Sequence, residues 1–355
     1  MQILEHMARY GFEQVMLCHD AGVGYTAIIA IHDTTLGPAL GGVRVWDYPS
    51  EEDAIRDVLR LARAMTLKSA AAELNLGGGK AVVVGVPPMG KRESVFRSLG
   101  RFIQSLGRRY ITTEDVGSYM RDMEHLSLET EHVTGLPVAM GGSGDPSPVT
   151  AFGVYQAMQA CAEQAFGGPT LRGKRVAVQG LGKVGSNLLP LLAKEGASLV
   201  LADIREGVAE GAGSEFSAAV VSPDAIYDEE CDIFSPCALG GILSQGTIPR
   251  LRCRVVCGGA NNQLENIDDC SLLEERGILY APDFVANAGG VINISLEFTG
   301  YDEGLARKKA AGIYDTMRCI LNGARNDKVI TAVAAERYAG ERIAAVKAVK
   351  HIYQE

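Results

Sequence analysis

An excess of positive charge, a long apolar run and paired cysteines are all missing from this chain of 355 residues. The formal net charge is -9, an acidic balance that disfavours general attraction to nucleic acid or anionic lipid, although a local basic cleft could still hold a small anion. No uninterrupted apolar stretch approaches ~18 residues, the least that suggests a membrane span. The opening Met1-Gln2-Ile3-Leu4-Glu5-His6, with its early acid, lacks the form of a secretory signal. A cytoplasmic protein acting on small molecules, with no nucleic-acid or membrane partner, is the expectation. The eight cysteines are scattered and form no Cys-x-x-Cys pair. Cys253 and Cys257 come nearest, but they sit in an apolar, strand-like run with no matching His or Cys pair, so buried free thiols are expected and no metal site. The six histidines are dispersed.

Hydrophobic residues make up 47% and charged residues 22%, the profile of a globular protein. The length exceeds what one core usually organises, so two domains are expected, with an active-site cleft between them. In the first, Thr26 to His32 reads as a strand and Gly37 to Gly42 as a tight loop. Ser50 and Asp53 resemble a helix cap before apolar residues at helical spacing, a helix that carries Lys68 just beyond its apolar stripe. After glycines at 77 to 79, Ala81 to Val84 reads as a buried strand, Glu93 to Leu106 as a helix and Arg109 to Thr112 as another strand. Gly, Pro and Ser concentrate at 136 to 148, which places the boundary at 140/141. Beyond it, a helix at Thr150 to Gln164, a strand at Arg175 to Gln179, a helix at Gly182 to Lys194 and a strand at Ser198 to Ala202 are followed by short apolar runs at 231–234, 255–256 and 278–280. Two long helical patterns, about 302–326 and 332–351, close the chain. The alternation of strands and helices predicts an α/β protein with a Rossmann domain over 141–329.

The strand Val176-Ala177-Val178-Gln179 runs directly into Gly180-Leu181-Gly182-Lys183-Val184-Gly185, so G-x-G-x-x-G stands where strand becomes helix. Gly180 allows the turn, Gly182 leaves room for a pyrophosphate at the helix N-terminus, and Gly185 permits close packing. An acid at the end of the next strand, ~20 residues on, should bind the adenosine ribose, and Asp203 occupies that place. Its charge would repel a 2′-phosphate, which favours NAD over NADP, although Arg205 nearby could soften the preference. A glycine-rich turn alone can imitate the spacing; here strand, turn, helix, second strand and acid agree.

Three further stretches are not needed by a generic Rossmann protein: Thr35 to Arg44 (TLGPALGGVR), Met65-Thr66-Leu67-Lys68 through Gly77-Gly78-Gly79-Lys80, and Thr113-Glu114-Asp115-Val116-Gly117. With Asp145 to Thr150 (DPSPVT), Cys237 to Gly241 (CALGG) and Ala286 to Val291 (ANAGGV), they resemble, in order and nearly end to end, the glutamate/leucine/phenylalanine/valine dehydrogenase family, with closest likeness to its leucine dehydrogenases.

The resemblance implies NAD-dependent, reversible oxidative deamination of a branched-chain L-amino acid to its 2-oxo acid and ammonia. It assigns the substrate carboxylate to Lys68, assisted by backbone groups of Gly41 and Gly42. Lys80 would be the base that activates water, and Asp115 would relay protons at the amine. A lysine can serve as base near neutrality only if its pKa is lowered, and a cationic neighbour such as Lys68 and a water-poor cleft would both lower it. Lysines mostly solvate surfaces, but the small, apolar surroundings of these two suit partial burial. The glycines before Lys80 are expected to let substrate approach the backbone. Thr150, Ala238, Asn261 and Asn262 are assigned to the nicotinamide end of the cofactor, Asn287 to the nicotinamide ribose or substrate, and Arg44 either to the cofactor or to bracing its glycine loop. Relatives assemble as homo-oligomers, commonly octamers, through the N-terminal domain and the C-terminal helix, about 330–355.

Family comparison maps side-chain choice to Leu40, Thr113, Val291 and Ile294. None is basic, which argues against glutamate. Phenylalanine-specific relatives tend to have glycine at the place of Thr113 and leucine at that of Val291. Threonine at 113 departs from the alanine usual in leucine dehydrogenases, Ile294 replaces a common valine, and Leu67 stands where an aromatic is usual. One methylene changes selectivity by only ~1–3 kcal/mol, so leucine, valine and isoleucine are all expected substrates. An aromatic amino-acid dehydrogenase is the alternative within the family. A hydroxy-acid dehydrogenase would rely on a His base and an Arg clamp, for which no His motif is present. A silent NAD-binding protein should have lost Lys68, Lys80 or Asp115.

Overall fold

The computed structural model describes residues 3–349, so the last residues of the expected C-terminal segment lie outside it. The chain forms two compact units: one runs to Gly144 and adds Ile294–Tyr301 and the chain from Ala339, the other comprises Asp145–Asn293 and Asp302–Tyr338. The chain therefore changes unit at Gly144 rather than at 140, and Ile294–Tyr301, expected in the Rossmann part, belongs to the first unit. Glu297 shows why. Its carboxylate accepts hydrogen bonds from Gly135 N (3.1 Å), Ser143 N (2.9 Å) and Ser143 Oγ (2.5 Å). The last helix, Thr331–Val349, changes units at Ala339, and its Arg342 donates to Leu74 O (2.6 Å) and Asn75 Oδ1 (2.9 Å) in the first unit.

The first unit is built on β1 (Gln14–Asp20), β2 (Tyr25–Asp33), β3 (Ala39–Trp46), β4 (Gly77–Val84) and β5 (Tyr110–Glu114), in the order β1-β2-β4-β3-β5. β1 and β2 pair antiparallel, as do β2 and β4; β3 runs parallel to both β4 and β5. Alternation divides the strand residues between two faces. Ala27, Ile29, Ile31, Val43, Val45, Ala81 and Val83 pack with Val95, Phe96, Leu99 and Ile103 of the helix Arg92–Ser105. On the opposite face, Ile28, Ala30 and Val82 pack with Ala54, Val58, Leu59 and Ala62 of the helix Glu51–Ala71. Two covered faces explain why these strands read as nearly continuous apolar runs. Ser50 caps the latter helix, its Oγ accepting from Asp53 N at 3.2 Å.

Two glycine clusters depart from the expectation. Gly41 and Gly42 lie inside β3, and Gly77 to Gly79 begin β4 rather than preceding it. They are demanded by close approach, not by a turn: a Cβ on Gly77 would fall 2.0 Å from Asp33 O, on Gly78 2.1 Å from Thr66 N, and on Gly79 2.7 Å from the Tyr110 ring. The glycines before Lys80 thus admit neighbouring backbone and helix, a requirement of packing that holds whatever approaches them as substrate. β1 went unread because it is an edge strand with only Cys18 buried.

The second unit is a six-stranded parallel sheet of β6 (Arg175–Gln179), β7 (Ser198–Ala202), β8 (Ala219–Val220), β9 (Ile233–Pro236), β10 (Val255–Val256) and β11 (Leu279–Tyr280), ordered β11-β10-β9-β6-β7-β8. The chain starts at the centre, winds to one edge and returns to wind to the other, which is doubly wound topology with its switch point between β6 and β9. The helical pattern at 302–326 is divided at Gly312 into Glu303–Ala311 and Ile313–Asp327. Among the described residues no helix is long and apolar enough to cross a membrane.

Candidate active site

In the first unit, charged side chains gather on the sheet face that the helix Glu51–Ala71 covers. Arg44 on β3 is in register with Val82 on β4, and Lys80 precedes Val82 by two residues, so all three point to one face. Lys80 Nζ lies 3.0 Å from Asp115 Oδ2, with the lysine side chain only 5% exposed and the aspartate 16%. Arg44 donates from Nε to the same oxygen at 3.0 Å and from Nη1 to Asp57 Oδ2 at 2.9 Å. Tyr48 Oη donates to Asp57 Oδ2 at 2.7 Å, and Arg60 Nη2 to Asp57 Oδ1 at 3.1 Å. Asp115 sits one residue beyond β5, in a turn held by Ser118: its N donates to Ser118 Oγ (2.9 Å), which donates to Val43 O (2.7 Å). A Cβ on Gly42 would meet Asp115 Cβ at 2.8 Å, so the glycine makes room for the carboxylate.

Burial pushes the Lys80 amine below its ordinary value; Asp115 opposes the shift and Arg44 adds to it. The chief cation acting on Lys80 is therefore Arg44, where the sequence suggested Lys68. Burial alone would raise Asp115, but Lys80 and Arg44 outweigh it and hold the carboxyl below the usual range. Arg44, expected either at the cofactor or bracing its glycine loop, joins two carboxylates of the first unit, because its strand position aims it along the sheet face toward Asp57 and Asp115. Asp57 and Tyr48 escaped the sequence reading altogether. An arginine inside a strand, which must find a counter-charge, was the signal that could have found them.

Lys68, half-buried, lies in the last turn of the helix Glu51–Ala71. That turn crosses β4 beside Lys80: Thr66 N would touch a Cβ on Gly78, and Ser69 Oγ donates to Gly77 O at 3.3 Å. β3 pairs with β5 through Gly41↔Thr112 and Gly42↔Thr113, whereas its pairing with β4 skips from Leu40 to Val43. Leu40 and Thr113 share the face of Lys80; Leu40 is fully buried and Thr113 is 9% exposed. Ile294 is buried in the first unit, Val291 in the second.

In the second unit, the glycine loop separates two demands. Gly180 has φ +94 and would place a Cβ 2.7 Å from Ala238 N, while a Cβ on Gly185 would lie 2.0 Å from Gly180 O. Both are fixed by packing. Gly182, which precedes the helix Lys183–Glu195, has nothing within 4 Å of its Cβ position, so the helix N-terminus faces open space suited to a phosphate. Asp203, just past β7, accepts from Leu181 N (2.7 Å), Arg205 N (2.9 Å) and Arg205 Nε (3.0 Å). The Arg205 hydrogen bond leads the causes that hold its carboxyl down at about 2. Lys183 is exposed, 3.9 Å from Asp145 Oδ2, and Val184 lies against Gly259.

Thr150 Oγ1 donates to Pro146 O (2.9 Å), Ala238 is exposed beside Gly180, and Asn262 O accepts from Gly241 N (2.7 Å). Asn287 Nδ2 donates to Asn261 Oδ1 (2.8 Å) and Gly259 O (3.2 Å), while its buried Oδ1 has no hydrogen-bond partner. A buried acceptor left unmatched costs free energy. With the space at Gly182, it shows that these residues fit a bound dinucleotide.

Comparison with known proteins follows the same two-part division. The family model "Glu/Leu/Phe/Val dehydrogenase, dimerisation domain" matches residues 12–132. The model "Glutamate/Leucine/Phenylalanine/Valine dehydrogenase" matches residues 141–220 and 201–354. A leucine dehydrogenase of Thermoactinomyces intermedius is 54% identical over 343 residues, covering 97% of this chain and 94% of the relative. A valine dehydrogenase of Streptomyces coelicolor is 46% identical over 347 residues, covering 97% and 95%. Among solved structures, L-tryptophan dehydrogenase from Nostoc punctiforme superposes with a TM-score of 0.86 at 43% identity, covering 97% of this chain and 99% of that one. Matches of this extent leave one conclusion: the chain is an amino-acid dehydrogenase and belongs to the NAD(P)-dependent Glu/Leu/Phe/Val dehydrogenase family.

Proposed function

We propose that this protein catalyses the NAD-dependent, reversible oxidative deamination of branched-chain L-amino acids, leucine with valine and isoleucine, to the 2-oxo acid and ammonia. The observation that carries the reading is the buried Lys80 amine, pushed below its ordinary value and held against Asp115. Leucine and valine dehydrogenases at 54% and 46% identity support the substrate class.

Lys68 pairs with the substrate carboxylate, beside the backbone of Gly41 and Gly42. Asp115 attracts the substrate ammonium and takes a proton from it, leaving a neutral amine whose α-carbon can give up hydride. When bound, the nicotinamide cofactor supplies the hydride acceptor. Neutral Lys80 then takes a proton from the water that attacks the iminium carbon. Asp115 returns its proton to nitrogen, the C–N bond breaks to release ammonia, and the carbonyl forms as the hydroxyl proton passes to the Asp115 carboxylate. Each proton thus passes through a group on one sheet face.

Gly180, Leu181, Gly182, Lys183, Val184 and Gly185 would hold the pyrophosphate and Asp203 the adenosine ribose. Thr150, Ala238, Asn261, Asn262 and Asn287 would hold the nicotinamide half. Asp203 is ionised and already occupies Arg205, which supports NAD over NADP. Leu40, Thr113 and Ile294 of the first unit, and Val291 of the second, include no basic side chain that could pair with a side-chain carboxylate, which supports a substrate other than glutamate. A cytoplasmic homo-oligomer, with the octamer that the family resemblance implies, completes the proposal. Reduced-nicotinamide absorbance measured with each common L-amino acid tests it. Turnover should be greatest with leucine, valine or isoleucine; no turnover with any amino acid, or dominance of tryptophan or phenylalanine, overturns it.

A further inference from the structure

The two cations on Asp115 both use one oxygen. Lys80 and Arg44 converge on Oδ2, each at 3.0 Å, while Oδ1 makes no hydrogen bond among the described residues. Arg44 is itself held at its far end, where Nη1 meets Asp57 Oδ2, which also accepts from Tyr48 Oη. A guanidinium gripped by carboxylates at two of its nitrogens has little freedom to turn. Asp57 is in turn held by Arg60 on its other oxygen. The series Tyr48, Asp57, Arg44, Asp115, Lys80 thus runs along one side of the sheet without a gap.

We propose that Arg44, anchored by Asp57 and Tyr48, is a positioning residue for deamination: it fixes Asp115 through Oδ2, so that Oδ1 alone exchanges protons with the substrate nitrogen while Lys80 works beside it. The inference rests on the reaction proposed above. A carboxylate held by one oxygen keeps the other at a constant place, which proton transfer requires. The positive charge of Arg44 also balances Asp115, whose anion otherwise favours the protonated form of Lys80. The groups that act on Lys80 are Asp115 after β5, Arg44 on β3 and Asp57 on the covering helix, whose last turn carries Lys68. Tyr110, also sensitive to the charge of Asp115, has its hydroxyl bonded to Gly41 O on the other face.

The test compares wild type, Arg44→Met, Arg44→Lys and Tyr48→Phe by the pH profile of kcat/KM for leucine oxidation, with NAD binding measured separately by fluorescence. Activity requires neutral Lys80, so it rises with pH through the pKa of that amine. Without the charge of Arg44 that limb should move upward by about one pH unit, and kcat should fall by about tenfold or more. Arg44→Lys keeps a charge but not the fork, so it should restore the limb while kcat stays depressed. Tyr48→Phe, the mildest change, should lower kcat several-fold and serves if Arg44→Met fails to fold. NAD affinity should stay within about twofold in every variant. An unmoved limb in folded Arg44→Met, undiminished kcat in Tyr48→Phe, or a loss of NAD affinity in place of kcat overturns this inference while leaving the reaction standing. A wild-type protein that oxidises no amino acid removes both.

Discussion

Gly41 and Gly79 approach so closely that a methyl group on Gly41 would lie 1.7 Å from the Gly79 carbonyl oxygen. The contact is backbone against a built-in methyl, with no flexible side chain to yield. Gly41→Ala should therefore destabilise the protein by at least about 1–3 kcal/mol, read as a lower Tm in calorimetry. An alanine variant as stable as wild type would mean the strands are not packed in this way.

Lys80 has to be neutral to accept a proton from water, and burial lowers its pKa from the ordinary lysine value of 10.5. The sign follows directly: protons compete with the reaction, so oxidation gains with rising pH through a limb that lies below that value. Lys80→Ala should lose about 10²–10⁴-fold in kcat. An unshifted limb in the wild-type profile, or a variant with near-normal kcat, would remove the amine from its role as base.

Asp203→Asn keeps an acceptor for Leu181 N and discards the charge. Arg205, no longer balanced by a carboxylate, becomes available to a 2′-phosphate. The ratio of kcat/KM with NAD to that with NADP should fall by about tenfold or more. Steady-state rates with the two cofactors measure it, and an unchanged ratio would show that selectivity lies elsewhere.

Glu297→Ala would strip Gly135 N and Ser143 N of their shared acceptor. The expected loss is about 1–3 kcal/mol, concentrated locally. Limited proteolysis should cut residues 135–144 faster than in wild type; identical digestion patterns would count against a local clasp.

What could be read in advance was local. The loop from Gly180 to Gly185 declares itself because strand, turn and helix are contiguous, and Asp203 follows at the spacing of the next strand. Lys80 could be placed beside a strand because Ala81 to Val84 are apolar. Gly41, Gly42 and Gly77 to Gly79 misled, since a glycine required by a neighbour in space looks the same as one required by a turn. Arg44 finds Asp115 71 positions away, and no periodicity announces such a partner. Its contact with Asp57 depends on how the covering helix lies on the sheet, which only packing determines.

The return of Ile294–Tyr301 and of the chain from Ala339 to the first unit bears on synthesis. A ribosome releases the strands of that unit first, yet the carboxylate that clasps Gly135 and Ser143, and the guanidinium that reaches Leu74, emerge only after most of the other unit has been made. The half that begins the polypeptide is finished last, and no single cut could liberate it whole.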